Sequence, residues 1–350
     1  MPANLKRIFY FHPPMASTAA KIRAQRADIA MDLADAGNPD QAWAEIGRSH
    51  GYHVSGRTEL SPPWFPDAKL LSRSPDLLAV CSLGAGYDVI DVDACTRAGV
   101  IVCNQAGSNK EAVAEHALGL MLNLSKQITK ADRAMRREDN VDRYNYIGSD
   151  LLGKTVGIIG LGNIGSRVAE LCRVLFKMTV LACDPYLSAQ QIEARGAVKT
   201  DLNDLLGRSD FVTVHCPRNS ETSNLMSYEQ FARMKPSAYF VNTARGGTYS
   251  EEDLARALRE QRIAGAGVDV FLKEPPSKDH PLMAFENVIC SPHNGGITHD
   301  AIANMETYAA DQWVDIFDGK VPPRLINPGA WPLYSERFER ILGFRPASLR

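Results

Sequence analysis

The sequence predicts an α/β protein built on two Rossmann-like domains, each a doubly wound parallel sheet. Three observations carry this. First, 350 residues exceed what one hydrophobic core organises and suggest two domains. Second, short β-branched runs alternate with helical patterns along most of the chain, the signature of parallel strands joined by crossover helices. Third, the run Lys154-Thr155-Val156-Gly157-Ile158-Ile159 ends in Gly160-Leu161-Gly162-Asn163-Ile164-Gly165 and continues at helical spacing.

In chain order, Leu5 to Phe11 reads as a first strand, cut off by Pro13-Pro14. Residues 18–36 are rich in Ala and read as one helix, stopped by Gly37-Asn38-Pro39, and residues 40–48 as a second. Ser61-Pro62-Pro63-Trp64-Phe65-Pro66 is a proline-stiffened loop with two large aromatics. A short helix at 67–72, a buried strand at 77–82 and the glycine-rich turn Leu83-Gly84-Ala85-Gly86-Tyr87-Asp88 follow. Residues 91–98 read as helix, 100–103 as strand and 104–109 as loop, which gives the first ~110 residues an α/β layer of their own.

Residues 111–135 read as one long helix, apolar nearly all round from Ala112 to Leu124, which suits a domain junction or a subunit interface. Beyond the glycine-rich unit, strands are expected at 179–183, 210–215, 238–242, 264–269 and 287–291. Helices are expected at 201–207, 227–234, 250–260 and 299–318. Residues 328–350 show no clear periodicity and read as a surface cover.

The glycines have separate physical jobs: Gly160 for a tight turn, Gly162 for close approach of a pyrophosphate, Gly165 for helix–strand packing. The helix N-terminus offers free N–H groups and the positive dipole end. The next strand ends on Asp184, about 20 residues on, where a ribose-binding acid belongs. Its carboxylate suits a ribose 2′-OH and repels a 2′-phosphate, and Pro185 and Tyr186 bring no compensating charge. The cofactor expected is NAD rather than NADP.

A net charge of −2 argues against nucleic acid or a membrane surface as main partner. The seven cysteines are scattered, without a C-x-x-C pair, and fit core positions in a reducing cytoplasm. The apolar run before His12-Pro13-Pro14 is too short for a signal peptide, no run approaches a membrane span, and no Cys/His spacing suits a metal.

Polar groups stand at three successive strand ends, where a doubly wound sheet binds its ligand. They are Arg245 in Asn242-Thr243-Ala244-Arg245-Gly246-Gly247, Glu274 after Gly267-Val268-Asp269-Val270-Phe271, and His293 in Ser291-Pro292-His293-Asn294-Gly295-Gly296. Each has a structural alternative alone; together beside a dinucleotide motif they suggest a site. His116 and His215 read as structural, one on the buried helix and one in a strand.

With these motifs the chain resembles the NAD-dependent D-2-hydroxyacid dehydrogenases, especially the 3-phosphoglycerate dehydrogenase-like branch, from about Leu77 to Asn327. The resemblance implies an enzyme transferring hydride between NAD(H) and a 2-hydroxy or 2-oxo acid, with Arg245, Glu274 and His293 as catalytic trio. His293 would exchange the proton, Glu274 would favour its imidazolium, and Arg245 would hold the substrate carboxylate. Asp269 would hold the nicotinamide carboxamide. Cys216 and Pro217 would flank the adenosine, with Thr222, Thr243, Ala244 and Gly295 also near the cofactor, and Asn163 and Ile164 at the phosphates. Leu83, Gly84 and Ala85 would offer backbone N–H groups to the substrate carboxylate, with Asn109 and Arg57 as further contacts. It also implies a substrate domain of residues 1–123 and 299–350 with the NAD-binding domain, 124–298, inserted into it, the active site between the two, and a homodimer joined through the latter.

The stretch from Gly56 to Pro66 is longer than in the phosphoglycerate enzymes, and the chain is shorter than those carrying regulatory domains. Trp64 and Phe65 either wall the pocket and favour a bulky 2-oxo acid or pack on the domain. Two other functions stay open. A formate dehydrogenase-like enzyme would share Gly107-Ser108-Asn109 and Val113-Ala114-Glu115-His116 but carries a glutamine where Glu274 stands. A non-catalytic NAD-responsive corepressor would keep the same fold and site.

Overall fold

A computed structural model describes residues 5–11, 16–56 and 59–349. The chain divides into two compact units, one of residues 1–109 and 299–350, the other of residues 110–298. The second is therefore inserted in the sequence of the first.

The first unit begins β1 (Lys6–Tyr10), α1 (Ala16–Gln25), β2 (Ile29–Leu33), α2 (Pro39–Gly47), β3 (Gly51–Val54), α3 (Ala68–Ser72), β4 (Ala79–Ser82), α4 (Val92–Arg97) and β5 (Ile101–Cys103). The strands form one parallel sheet in the order β2-β1-β3-β4-β5. This is one of the two common doubly wound orders. Strands β3, β4 and β5 are buried on both faces.

Two elements differ from expectation here. Residues 18–36 are not one helix: α1 stops at Gln25, and Ile29–Leu33 forms the edge strand β2, with Ile29 and Met31 buried. The alanines on both sides hid a five-residue strand whose start is tied down by Lys6, which pairs with Asp28 at 2.7 Å. Strand β3 was also missed, because it starts on a glycine. A Cβ at Gly51 would sit 2.6 Å from the Trp313 ring, so only glycine lets that indole pack on the sheet.

The second unit holds α5 (Lys110–Lys126), α6 (Ile128–Met135), β6 (Thr155–Ile159), α7 (Asn163–Phe176), β7 (Thr179–Cys183), α8 (Ala189–Glu193), β8 (Val198–Lys199), α9 (Leu202–Arg208), β9 (Phe211–Val214), α10 (Tyr228–Arg233), β10 (Tyr239–Asn242), α11 (Glu251–Arg259), β11 (Gly265–Val268) and β12 (Val288–Cys290). Its seven parallel strands run β12-β11-β10-β9-β6-β7-β8. Strand order reverses between β6 and β9, which puts the glycine turn after β6 at the switch point, where such sheets bind ligands.

The helix expected over 111–135 is two helices, broken at Gln127, whose φ of 55° is left-handed. The apolar residues of α5 pack on α7, β10 and β11 within the unit, and eight from Ala112 to Leu124 are buried. Their apolarity is thus used inside the domain, and residues 110–123 group with the second unit rather than the first.

The chain returns to the first unit as α12 (His299–Phe317) and α13 (Trp331–Leu342). The tail is no irregular cover: Trp331, Tyr334 and Phe338 of α13 join Trp313 and Phe317 of α12 in the core on one sheet face. Pro332 in the first turn and the terminal Gly343, φ 81°, bound that helix as sequence rules favour. Trp64 belongs to the core on the opposite face, 3% exposed and 4.8 Å from the Phe11 ring; Phe65 packs on the same core, half-buried. The packing alternative therefore holds for Trp64. Arg57 lies outside the described residues.

Candidate active site

The glycine turn is shaped by steric necessity. Gly160 has φ 88°, and a Cβ there would lie 2.7 Å from the Cys216 nitrogen. A Cβ at Gly165 would lie 2.1 Å from the Gly160 carbonyl oxygen, so α7 sits directly on the turn. Among the described residues nothing lies within 4 Å of a Cβ at Gly162, leaving its backbone open to a ligand. The first-turn N–H groups of α7, at Asn163, Ile164 and Gly165, have no intrahelical acceptor. This is an anion cradle by construction.

Asp184 ends β7 and is held by two backbone donors: Leu161 N to Oδ2 at 2.9 Å and Tyr186 N to Oδ1 at 3.0 Å. Each oxygen keeps a lone pair. A cavity of about 540 Å³ opens beside it, lined by Cys183, Asp184, Pro185, Lys199, Thr200 and Asp201. Lys199 brings to this cavity a positive charge that the sequence around Asp184 did not show. Cys216, after β9, has its thiol pushed up to about 11 by burial, so it stays neutral.

Across β9 the loop 217–222 is self-bonded: Thr222 Oγ1 donates to Pro217 O at 2.6 Å and accepts from Asn219 N at 2.8 Å. Thr222 thus braces the loop instead of presenting a free hydroxyl. Thr243, 6% exposed, does the opposite, since its buried Oγ1 has no protein partner among the described residues. Beside it Asn242, fully buried, fixes the loop after β10 by accepting from Ala244 N at 2.9 Å and donating to Thr248 Oγ1 at 2.9 Å. An open glycine, an oriented acid and an orphaned hydroxyl at one edge of the sheet suit a dinucleotide.

Strands β10, β11 and β12 are adjacent and parallel, Asn242 pairing with Val268 and Val268 with Cys290, so the loops carrying Arg245, Glu274 and His293 leave the same edge. Gly246 would place a Cβ 1.9 Å from Phe271 O, so the arginine loop touches the loop that presents Glu274. Arg245 is half-buried, with Nη1 donating to Ala244 O at 2.6 Å.

Glu274 Oε2 meets His293 Nδ1 at 2.7 Å, and Oε1 accepts from Phe271 N at 2.9 Å. A carboxylate accepts only, so Nδ1 carries the shared proton and Nε2 faces outward from the pair. The imidazole side chain is 41% exposed against 19% for its partner. His293 has φ 55°, held there by its own N–H to Asp269 O at 2.7 Å. Asp269 is 2% exposed; its Oδ1 accepts from Ser291 Oγ at 2.6 Å and Asn294 N at 3.1 Å, and Oδ2 from Gly295 N at 3.0 Å.

Leu83, Gly84, Ala85 and Asn109 lie in the first unit. Leu83 N already donates to Val54 O at 2.8 Å. The next three carbonyls are tied back: Gly84 O to Gln105 N at 2.9 Å, Ala85 O to Asn104 Nδ2 at 2.7 Å and Gly86 O to Ser82 Oγ. With its carbonyls bound, the turn presents the N–H groups of Gly84 and Ala85, which have no protein acceptor among the described residues. Asn109 Oδ1 is buried and has no partner among the described residues.

Ser82, Asn104 and Gln105, which brace this turn, belong to none of the sequence motifs. The available signal was polar residues directly at the ends of apolar strands, Asn104 and Gln105 being 5% and 0% exposed. His116 lies 2.9 Å from Ser291 Oγ and 3.6 Å from Asp269. Among the described residues no group of His, Cys, Asp and Glu is placed to hold a metal, and no helix is long and apolar enough to cross a membrane.

Comparison with known proteins gives concordant results. Residues 118–295 match the family described as "D-isomer specific 2-hydroxyacid dehydrogenase, NAD binding domain". The D-3-phosphoglycerate dehydrogenase of Archaeoglobus fulgidus is 40% identical over 261 residues, 75% of this chain and 49% of that protein. The chain thus spans about half the length of several of the relatives it matches. Glyoxylate reductase of Aeropyrum pernix is 38% identical over 267 residues, 75% of this chain and 79% of that one. A solved glyoxylate reductase from Paecilomyes thermophila superposes with TM-score 0.79 at 26% identity, covering 93% of this chain and 98% of the other. By matched motifs, sheet order and identity, this chain belongs to the D-isomer specific 2-hydroxyacid dehydrogenase family, and the unit bearing Gly160, Asp184 and His293 is its NAD-binding domain.

Proposed function

We propose that this protein is an NAD-dependent 2-oxo acid reductase, or in reverse a D-2-hydroxyacid dehydrogenase. The observation that carries this is the His293–Glu274 pair at 2.7 Å, set on the sheet edge that also bears the glycine turn. NAD(H), when bound, supplies or accepts the hydride. His293 Nε2 gives a proton to the substrate's carbonyl oxygen in reduction and removes it from the hydroxyl in oxidation. Glu274 holds Nδ1–H, fixes the ring and stabilises the imidazolium, while the Phe271 N–H holds Glu274. Arg245 orients the substrate carboxylate and polarises the carbonyl. The Gly84–Ala85 turn, its carbonyls tied back, offers backbone N–H groups of the kind that bind a carboxylate.

Gly160, Gly162, Asn163, Ile164 and Gly165 would cradle the pyrophosphate, Asp184 the ribose, and Thr243, Ala244, Asp269 and Gly295 the nicotinamide half. A carboxylate rather than an amide at position 274 favours proton transfer to a ketone over hydride abstraction from formate. The names of the relatives make glyoxylate and the 2-oxo acid of 3-phosphoglycerate the first substrates to try. A homodimer is part of this reading. Since α5 is covered inside its own unit, the exposed Ile128, Met135, Tyr144 and Ile147 replace it as the candidate contact. The proposed location is the cytoplasm, supported by seven unpaired cysteines.

The test is a panel of 2-oxo acids and formate with NADH or NAD⁺ and their phosphorylated counterparts. Turnover of a 2-oxo acid with NADH supports the proposal. Formate oxidation, or NADH binding without turnover of any substrate, refutes it, and a clear NADPH preference overturns the role given to Asp184.

A further inference from the structure

We infer that His116 is a positioning residue of the nicotinamide site, acting through Ser291 on Asp269. This rests on the function proposed above and assigns that site an element beyond the trio.

Helix α5 carries His116 to the loop after β12, where Nε2 lies 2.9 Å from Ser291 Oγ and 3.6 Å from Asp269 Oδ1. Ser291 Oγ lies 2.6 Å from Asp269 Oδ1. The carboxylate only accepts, so the single hydroxyl proton of Ser291 is committed to it. The Ser291 oxygen is then an acceptor, and the proton between it and the ring belongs to Nε2 of His116. This fixes the tautomer and the direction of the chain: His116 Nε2–H to Ser291, Ser291 O–H to Asp269.

Lone pairs can be counted on Asp269. Oδ1 is filled by Ser291 and the Asn294 N–H, at 2.6 and 3.1 Å. Oδ2 takes the Gly295 N–H at 3.0 Å and keeps one acceptor position. One position suits one N–H of a primary amide. If the His116 donor is lost, Ser291 is free to rotate and Asp269 is no longer held with Oδ1 saturated and Oδ2 available. Gly295 shows how tightly this is built, since a Cβ there would lie 2.9 Å from Asp269 Oδ2 and 3.1 Å from the His116 ring. The same Asp269 holds the His293 N–H through its backbone oxygen at 2.7 Å, so slack at Asp269 reaches the proton-transfer residue.

His116→Leu removes the donor and keeps apolar bulk. His116→Gln keeps an N–H donor at similar reach. Ser291→Ala breaks the relay at its middle. For His116→Leu the expected result is an NADH dissociation constant and a KM for NADH raised about tenfold, from loss of a hydrogen bond to a charged network, with the 2-oxo acid KM changed less than twofold. His116→Gln restores most of the loss, and the His116→Leu/Ser291→Ala double variant is no worse than Ser291→Ala alone. Circular dichroism melts keep folding separate from binding; if His116→Leu does not fold, Ser291→Ala and His116→Gln decide. A wild-type enzyme that reduces a 2-oxo acid, with His116→Leu binding NADH equally well, with His116→Gln as impaired as His116→Leu, or with additive losses, overturns this role alone. A wild-type protein that neither binds NADH nor reduces any 2-oxo acid overturns the proposed function and this role with it.

Discussion

Two glycines three residues apart, Gly162 and Gly165, separate binding from packing. At Gly165 an alanine Cβ would start 2.1 Å from Gly160 O, where a relaxed carbon–oxygen contact is about 3.3 Å. Helix α7 must therefore retreat from β6 by a little over 1 Å. Overpacking of this kind costs about 1–3 kcal/mol, partly offset by the roughly 1 kcal/mol that alanine gains over glycine in a helix. A net loss of up to about 2 kcal/mol lowers the melting temperature by up to about 8 °C in a domain of this size. At Gly162 nothing among the described residues lies within 4 Å of a new Cβ, and the backbone, φ −76°, suits any residue. Gly162→Ala should leave the melt unchanged. Its methyl group would stand where a pyrophosphate must approach, costing one or two charge-assisted hydrogen bonds and about 10–100-fold in NADH affinity. Thermal melts and NADH fluorescence titration on both variants decide the matter. Gly162→Ala binding NADH as the wild type does, or melting as low as Gly165→Ala, would refute the separate roles.

Three further outcomes are expected. Glu274→Gln keeps the shape of the pair but removes the negative charge beside the imidazolium, so 2-oxo acid reduction falls about 10–100-fold in kcat while the NADH dissociation constant holds, by stopped-flow and titration. Asn104→Ala frees the Ala85 carbonyl and loosens the turn, raising the 2-oxo acid KM about fivefold with no change in the KM for NADH, by initial rates. His53 is fully buried, and burial lowers its pKa to about 4 from the ordinary 6.5. The unfolded chain then binds a proton that the folded one refuses, so this contribution is complete above pH 6.5 and is lost as pH falls toward 4, by about 3 kcal/mol in all. His53→Gln should flatten that part of the stability-versus-pH curve in urea unfolding; a parallel curve would show that other groups set it.

The second unit was legible because its elements announce themselves. The run from Lys154 to Gly165 states strand, turn and helix in succession, and Arg245, Glu274 and His293 each follow an apolar strand within a few residues. The first unit was harder where sequence and role diverge. Gly51 weakens the signal of β3 in order to admit Trp313, and the alanines around Ile29–Leu33 read as helix although pairing with β1 decides otherwise. The tail looked irregular because Trp331, Tyr334 and Phe338 give α13 a sparse apolar face that only α12 explains. At the site, the tying back of the Gly84, Ala85 and Gly86 carbonyls and the reach of His116 depend on which atoms meet across the fold, and no local pattern encodes that.

The left-handed backbone of His293, φ 55°, governs how its imidazole should be removed. Alanine lacks the tolerance for this backbone region that histidine and asparagine share, so the peptide would relax and pull on Asp269, and lost turnover would mix chemistry with displacement. Asparagine tolerates this region of backbone space far better and carries no group that protonates near neutrality. It is the substitution whose kinetics would report the missing acid rather than a rearranged loop.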